Sequence, residues 1–100
     1  DTLVGYFSGM QHWELGYIRE YMECRNESIE DLVDKVFKTA YESVANLVIF
    51  QMQDVLKVGH IGRMNLPSSM GTNWRWRMLN GQFSHDKIER LRYLCDIYGR

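Results

Sequence analysis

Proline is nearly absent from this 100-residue chain, with Pro67 the single example, so glycine carries most of the punctuation. There are two cysteines, Cys24 and Cys95, far apart and without metal-ligand spacing. That pattern predicts two reduced thiols in a reducing compartment rather than a disulfide framework, and cytoplasmic placement with it. No long apolar run exists. The longest, Leu47 to Phe50, falls far short of the ~20 residues that span a bilayer, which excludes a membrane helix. Charge of one sign is also missing: 12 Lys and Arg oppose 13 Asp and Glu, and the pI is near 6.3. A dedicated nucleic-acid surface usually brings a pI above ~9. No basic segment followed by an apolar one opens the chain, and Asp1 stands first, so we expect a processed chain or a piece of a longer one.

What is present is the balance of a globular protein, 45% hydrophobic, 13% aromatic and 25% charged. Residues 1–10, with Gly5, Ser8 and Gly9, read as a loop. Trp13, Tyr17, Ile18, Tyr21 and Met22 recur at helical spacing and predict a helix over about 11–22, weakened by Gly16. Ser28 is a good N-cap, with Glu30, Asp31 and Asp34 in the turn that favours acids. The apolar stripe from Leu32 through Val36, Phe37 and Tyr41 to Val44 predicts a helix over about 29–44. Residues 46–52 are apolar on both alternating faces and β-branched in the middle. They predict a strand buried on both sides, as in a parallel sheet. Val55 to Lys57 can make a single helical turn. Residues 59–83 hold four glycines, Pro67 and three asparagines, which predicts a long loop of the kind that is usually functional. Ser84 and Gly99 bracket a last helix over about 85–98.

A buried parallel strand needs partner strands and helices on both faces. The order helix, helix, strand, loop, helix therefore reads as the later part of a repeating β/α domain, one segment without separate domains. Ligand sites in such folds lie beyond the carboxyl ends of the strands. Gln53 and Asp54 stand there, as a site amide and carboxylate or as caps of the next turn. Asn73, Trp74, Arg75, Trp76 and Arg77 alternate aromatic and basic residues. That alternation suits sugar stacking, base stacking, or a strand with Trp inward and Arg outward. His12, His60 and His85 have no metal-ligand spacing, and no phosphate loop or nucleophile elbow occurs. No cofactor or metal is expected.

Three stretches together resemble the amylomaltase family, the 4-α-glucanotransferases or disproportionating enzymes. They are Gln51-Met52-Gln53-Asp54-Val55-Leu56-Lys57-Val58-Gly59, Arg63-Met64-Asn65, and Asn73-Trp74-Arg75-Trp76-Arg77. Asp1-Thr2-Leu3-Val4-Gly5 resembles the end of that family's His-Asp-Asn-Asp-Thr motif. The family's Pro-Gly-Thr is replaced by Pro67-Ser68-Ser69-Met70-Gly71-Thr72. The resemblance implies an interrupted (β/α)8 barrel and retaining, double-displacement transfer of α-1,4-glucan segments, with a carboxylate nucleophile and a carboxylate acid/base. It places those carboxylates before Asp1, so no catalytic residue is expected in this chain, and the chain alone is expected to be inactive. It makes Asn65 the first choice for a sugar contact, because an amide both donates to and accepts from hydroxyls. Gln53 and Asp54 are second choices. The partners it implies are a maltooligosaccharide and the N-terminal part of the barrel, not nucleic acid or a membrane. Two other readings are a small helical protein-interaction module and a small single-strand nucleic-acid binder.

Overall fold

The computed structural model describes residues 1–100 and contains five α-helices and no strand. They are α1 (Leu3–Ser8), α2 (His12–Tyr21), α3 (Ile29–Tyr41), α4 (Met52–Val55) and α5 (His85–Tyr98), with a 3-10 turn at His60–Gly62.

The first correction falls on residues 1–10, which are not a loop. Thr2 Oγ1 accepts from the Gly5 amide at 3.0 Å and caps α1. A Cβ at Gly5 would lie 2.5 Å from Asp1 Oδ1, so any larger residue there displaces the Asp1 carboxylate. In α2, Gln11 and Glu14 form a reciprocal capping box. The helix carries Trp13, Tyr17 and Tyr21 along one exposed face. Ser28 Oγ accepts from Asp31 N at 3.1 Å, and Asp31 answers by accepting from the Ser28 amide. The other end of α3 is closed by the last residue of the chain. Arg100 Nε donates to Tyr41 O at 2.9 Å, and its Nη2 donates to the carbonyls of Ser43 and Ala45. Val44, at the end of the predicted stripe, lies beyond the helix and is fully exposed.

The core is small. Phe7 of α1, Cys24 of the α2–α3 connector and Leu32, Val33 and Phe37 of α3 are its buried centre, with Leu91 of α5 packed against it. Phe50 stacks on Phe37 at 4.2 Å between ring centroids and on Tyr41 at 5.4 Å. Burial pushes the Cys24 thiol up from its ordinary pKa, and the neighbouring Glu27 charge adds to this.

The second correction is the strand predicted at 46–52. Residues 47–51 have no regular structure, and Met52 already belongs to α4. Leu47 is 74% exposed and Ile49 82%. A strand exists only by pairing, and nothing else in this chain is a strand for it to pair with. The shortage of burial is general. The accessible surface is 7329 Å2, against about 5,900 Å2 for a compact protein of this mass. The radius of gyration is 14.7 Å, against about 13 Å for a compact 100-residue domain.

Candidate functional site

The short helix α4 delivers the two polar residues that follow the apolar segment, and it turns both inward. Gln53 and Asp54 are 7% and 6% exposed. Gln53 Nε2 donates to Gly62 O at 3.1 Å, which ties the 3-10 turn to α4. The approach is close, since a Cβ on Gly62 would meet Gln53 Cγ at 3.2 Å. Asp54 Oδ1 accepts from the Leu3 amide at 2.7 Å and so serves the N-terminus of α1. Both side chains bind backbone; neither is aimed at open solvent.

A carboxylate near the chain start joins the same region. Asp1 has a side chain only 14% exposed. Its Oδ1 accepts from the Thr2 amide at 2.7 Å, and its Oδ2 lies 2.8 Å from His60 Nδ1 and 3.8 Å from Arg63 Nη1. Arg63 Nε in turn donates to the Asn65 carbonyl at 2.9 Å. One network therefore runs from Asp1 through His60 and Arg63 into the loop that bears Asn65. Asn65 itself is exposed, and its carbonyl is its bonded group. The structure thus separates the three predicted site residues into two buried braces and one exposed amide.

The loop beyond is ordered from within. Asn73 Oδ1 accepts from Leu66 N at 2.9 Å, while its Nδ2 donates to Ser69 O at 3.1 Å. The Trp74 amide bonds back to Met64 O. Ser68, Gly71, Trp74 and Gly81 all take positive φ. That is unusual for tryptophan and marks a backbone held by its surroundings. The alternation from Asn73 to Arg77 does not form a strand with Trp inward: Trp74 is 64% exposed, and Arg77 Nη1 donates to the Trp76 carbonyl at 2.8 Å. Between the 3-10 turn and this loop opens a cleft of about 520 Å3, lined by His60, Arg63, Leu66, Asn73, Arg75 and Trp76. An indole, two guanidiniums, an imidazole and one side-chain amide around an open cleft suit a polar ligand with an apolar face. No group of three or more His, Cys, Asp or Glu side chains converges as a metal would need. No helix is long and apolar enough to cross a membrane.

Asn73 and His60 were missed as structural residues by sequence reasoning. Asn73 carries a usable signal, because asparagine organises turns through its own side chain. The partner of His60 lies 59 residues away, and no local spacing announces it.

A family profile described as 4-alpha-glucanotransferase matches residues 1–82. The chain is 38% identical over 84 residues to the 4-alpha-glucanotransferase of Streptococcus pneumoniae, covering 82% of this chain and 17% of that protein. It is 34% identical over 104 residues to the chloroplastic/amyloplastic 4-alpha-glucanotransferase of Arabidopsis thaliana, covering 100% of this chain and 18% of that protein. The structure superposes on the amylomaltase from Streptococcus agalactiae in complex with acarbose with a TM-score of 0.87 at 31% identity. That match covers 99% of this chain and 20% of that enzyme. The chain spans about a fifth of the length of the relatives it matches. The fold of the chain thus matches one part of a larger enzyme, and the chain belongs to the 4-alpha-glucanotransferase family.

Proposed function

We propose that this chain acts as one segment of a 4-α-glucanotransferase, which moves α-1,4-glucan segments between maltodextrins by a retaining double displacement. The observation that carries this is the likeness to the acarbose-bound amylomaltase over 99% of the chain. In this reading residues 47–50 pair with strands of a (β/α)8 barrel that other residues of the enzyme supply. The excess exposed surface supports that role, because a stretch this apolar is costly to leave in water.

The segment's part is recognition. Retaining transfer needs two carboxyl groups about 5–5.5 Å apart across the scissile bond. Asp1 and Asp54 are occupied by backbone and cationic partners instead. The reacting carboxylates belong to other residues of the enzyme. Asn65, exposed on the loop beside the cleft-lining Arg63, offers its amide to a sugar hydroxyl, and Trp76 offers an apolar face beside Arg63 and Arg75 in the cleft wall. Gln53 and Asp54 act on the glucan through the loop and helix that they brace. The two free thiols fit a reducing, cytoplasmic setting.

Maltotriose tests the reading. The enzyme that contains this segment releases glucose and builds longer maltodextrins, whereas the 100-residue chain alone releases none. An enzyme that hydrolyses maltotriose without lengthening any product, or a chain that is active by itself, contradicts it.

A further inference from the structure

His60 lies outside the motifs that place the family, and the function above gives it no task. Its geometry does. The side chain stands at the junction of two clefts, the 520 Å3 one walled by Arg63 and Trp76 and a second beside Asp1, Gly5 and Tyr6. Its Nδ1 is 2.8 Å from Asp1 Oδ2, and the Asp1 side chain is only 14% exposed whereas that of His60 is 65% exposed. A carboxylate is acceptor only when ionised, so Nδ1 is the donor whether the ring is neutral or charged. The other Asp1 oxygen already accepts from the Thr2 amide, which fixes the carboxylate on the N-terminus of α1. The imidazole is therefore a tether from a fixed, half-enclosed anion to the 3-10 turn that leads into Arg63 and Asn65. Arg63 reinforces it only weakly, at 3.8 Å from the same oxygen.

We propose that His60 is a positioning residue: through its Nδ1–Asp1 bond it sets the placement of the Arg63–Asn65 loop, and with it the affinity for α-1,4-glucan. This rests on the functional reading above. Loss of the tether loosens the loop before substrate binds. Part of the binding energy then goes into reordering it, which raises KM more than it lowers kcat.

The test uses the full-length enzyme and maltotriose. His60→Ala raises KM about fivefold with kcat within about twofold. His60→Asn restores KM to within about twofold, because its amide nitrogen occupies the place of Nδ1. Asp1→Ala, which removes the acceptor of Nδ1, raises KM as His60→Ala does, and the double variant is no worse than Asp1→Ala alone. Amide exchange at Gly62 to Asn65 quickens in His60→Ala and not in His60→Asn. The proposal is overturned if His60→Asn is as impaired as His60→Ala, if the two losses add, or if KM does not move. An unaltered enzyme without transferase activity overturns the functional reading instead; the exchange rates then decide the tether alone.

Discussion

Asp54 accepts the backbone amide of Leu3 from 51 residues further along the chain, at 2.7 Å. α1 is only six residues long and would be marginal by itself. One buried carboxylate on α4 thus completes the cap that Thr2 begins, and it locks the start of the chain to the turn beneath the cleft. Replacing Asp54 with Ala costs about 0.5–2 kcal/mol, the range for a lost N-cap acceptor. Asp54→Asn, which keeps an acceptor oxygen, costs less. Urea unfolding of the pair of variants checks the order. Equal losses would show that the carboxylate's charge, and not its acceptor oxygen, carries the contribution.

Stability falls in alkali because of Tyr41. Burial and the contact of its hydroxyl with Cys95 Sγ at 3.6 Å push its pKa up to about 12 from an ordinary 10. Below pH 10 the phenol is protonated in folded and unfolded chains alike. Between 10 and 12 only the unfolded chain releases the proton, so stability drops as pH rises through that window. The melting temperature of Tyr41→Phe is flatter over the same window. Identical slopes in the two proteins would remove Tyr41 as the cause.

Leu47 and Ile49 should make the 100-residue chain associate. Both are exposed on an extended, unpaired segment that invites edge pairing. Sedimentation velocity is expected to show oligomers that disperse in Leu47→Lys and Ile49→Lys. A monomeric chain, unchanged by either substitution, would mean that the segment is hidden in solution.

The legible parts of this fold are those whose causes are local. Ser28, its acidic first turn and the stripe through Phe37 announce α3, and Ser84 with Gly99, at φ 67°, brackets α5. α1 was illegible because one of its supports is distant: Asp54 caps Leu3 from 51 residues away. The apolar run at 47–50 carries a strand signal that this chain does not realise, since pairing partners are not a local property. In the site, Arg63-Met64-Asn65 could be singled out by resemblance. The His60–Asp1 bond could not, because it joins residues 59 apart with no shared motif.

Asn65 decides whether this loop touches glucan, and one substitution in the full-length enzyme tests it. For Asn65→Ala, kcat/KM on maltotriose is expected to fall by about 5- to 150-fold, equivalent to ~1–3 kcal/mol of transition-state binding, with the melting temperature within about a degree of the unaltered enzyme. Unchanged kcat/KM together with a lowered melting temperature would make Asn65 a residue that only shapes the loop, and would contradict a sugar-binding role for this segment.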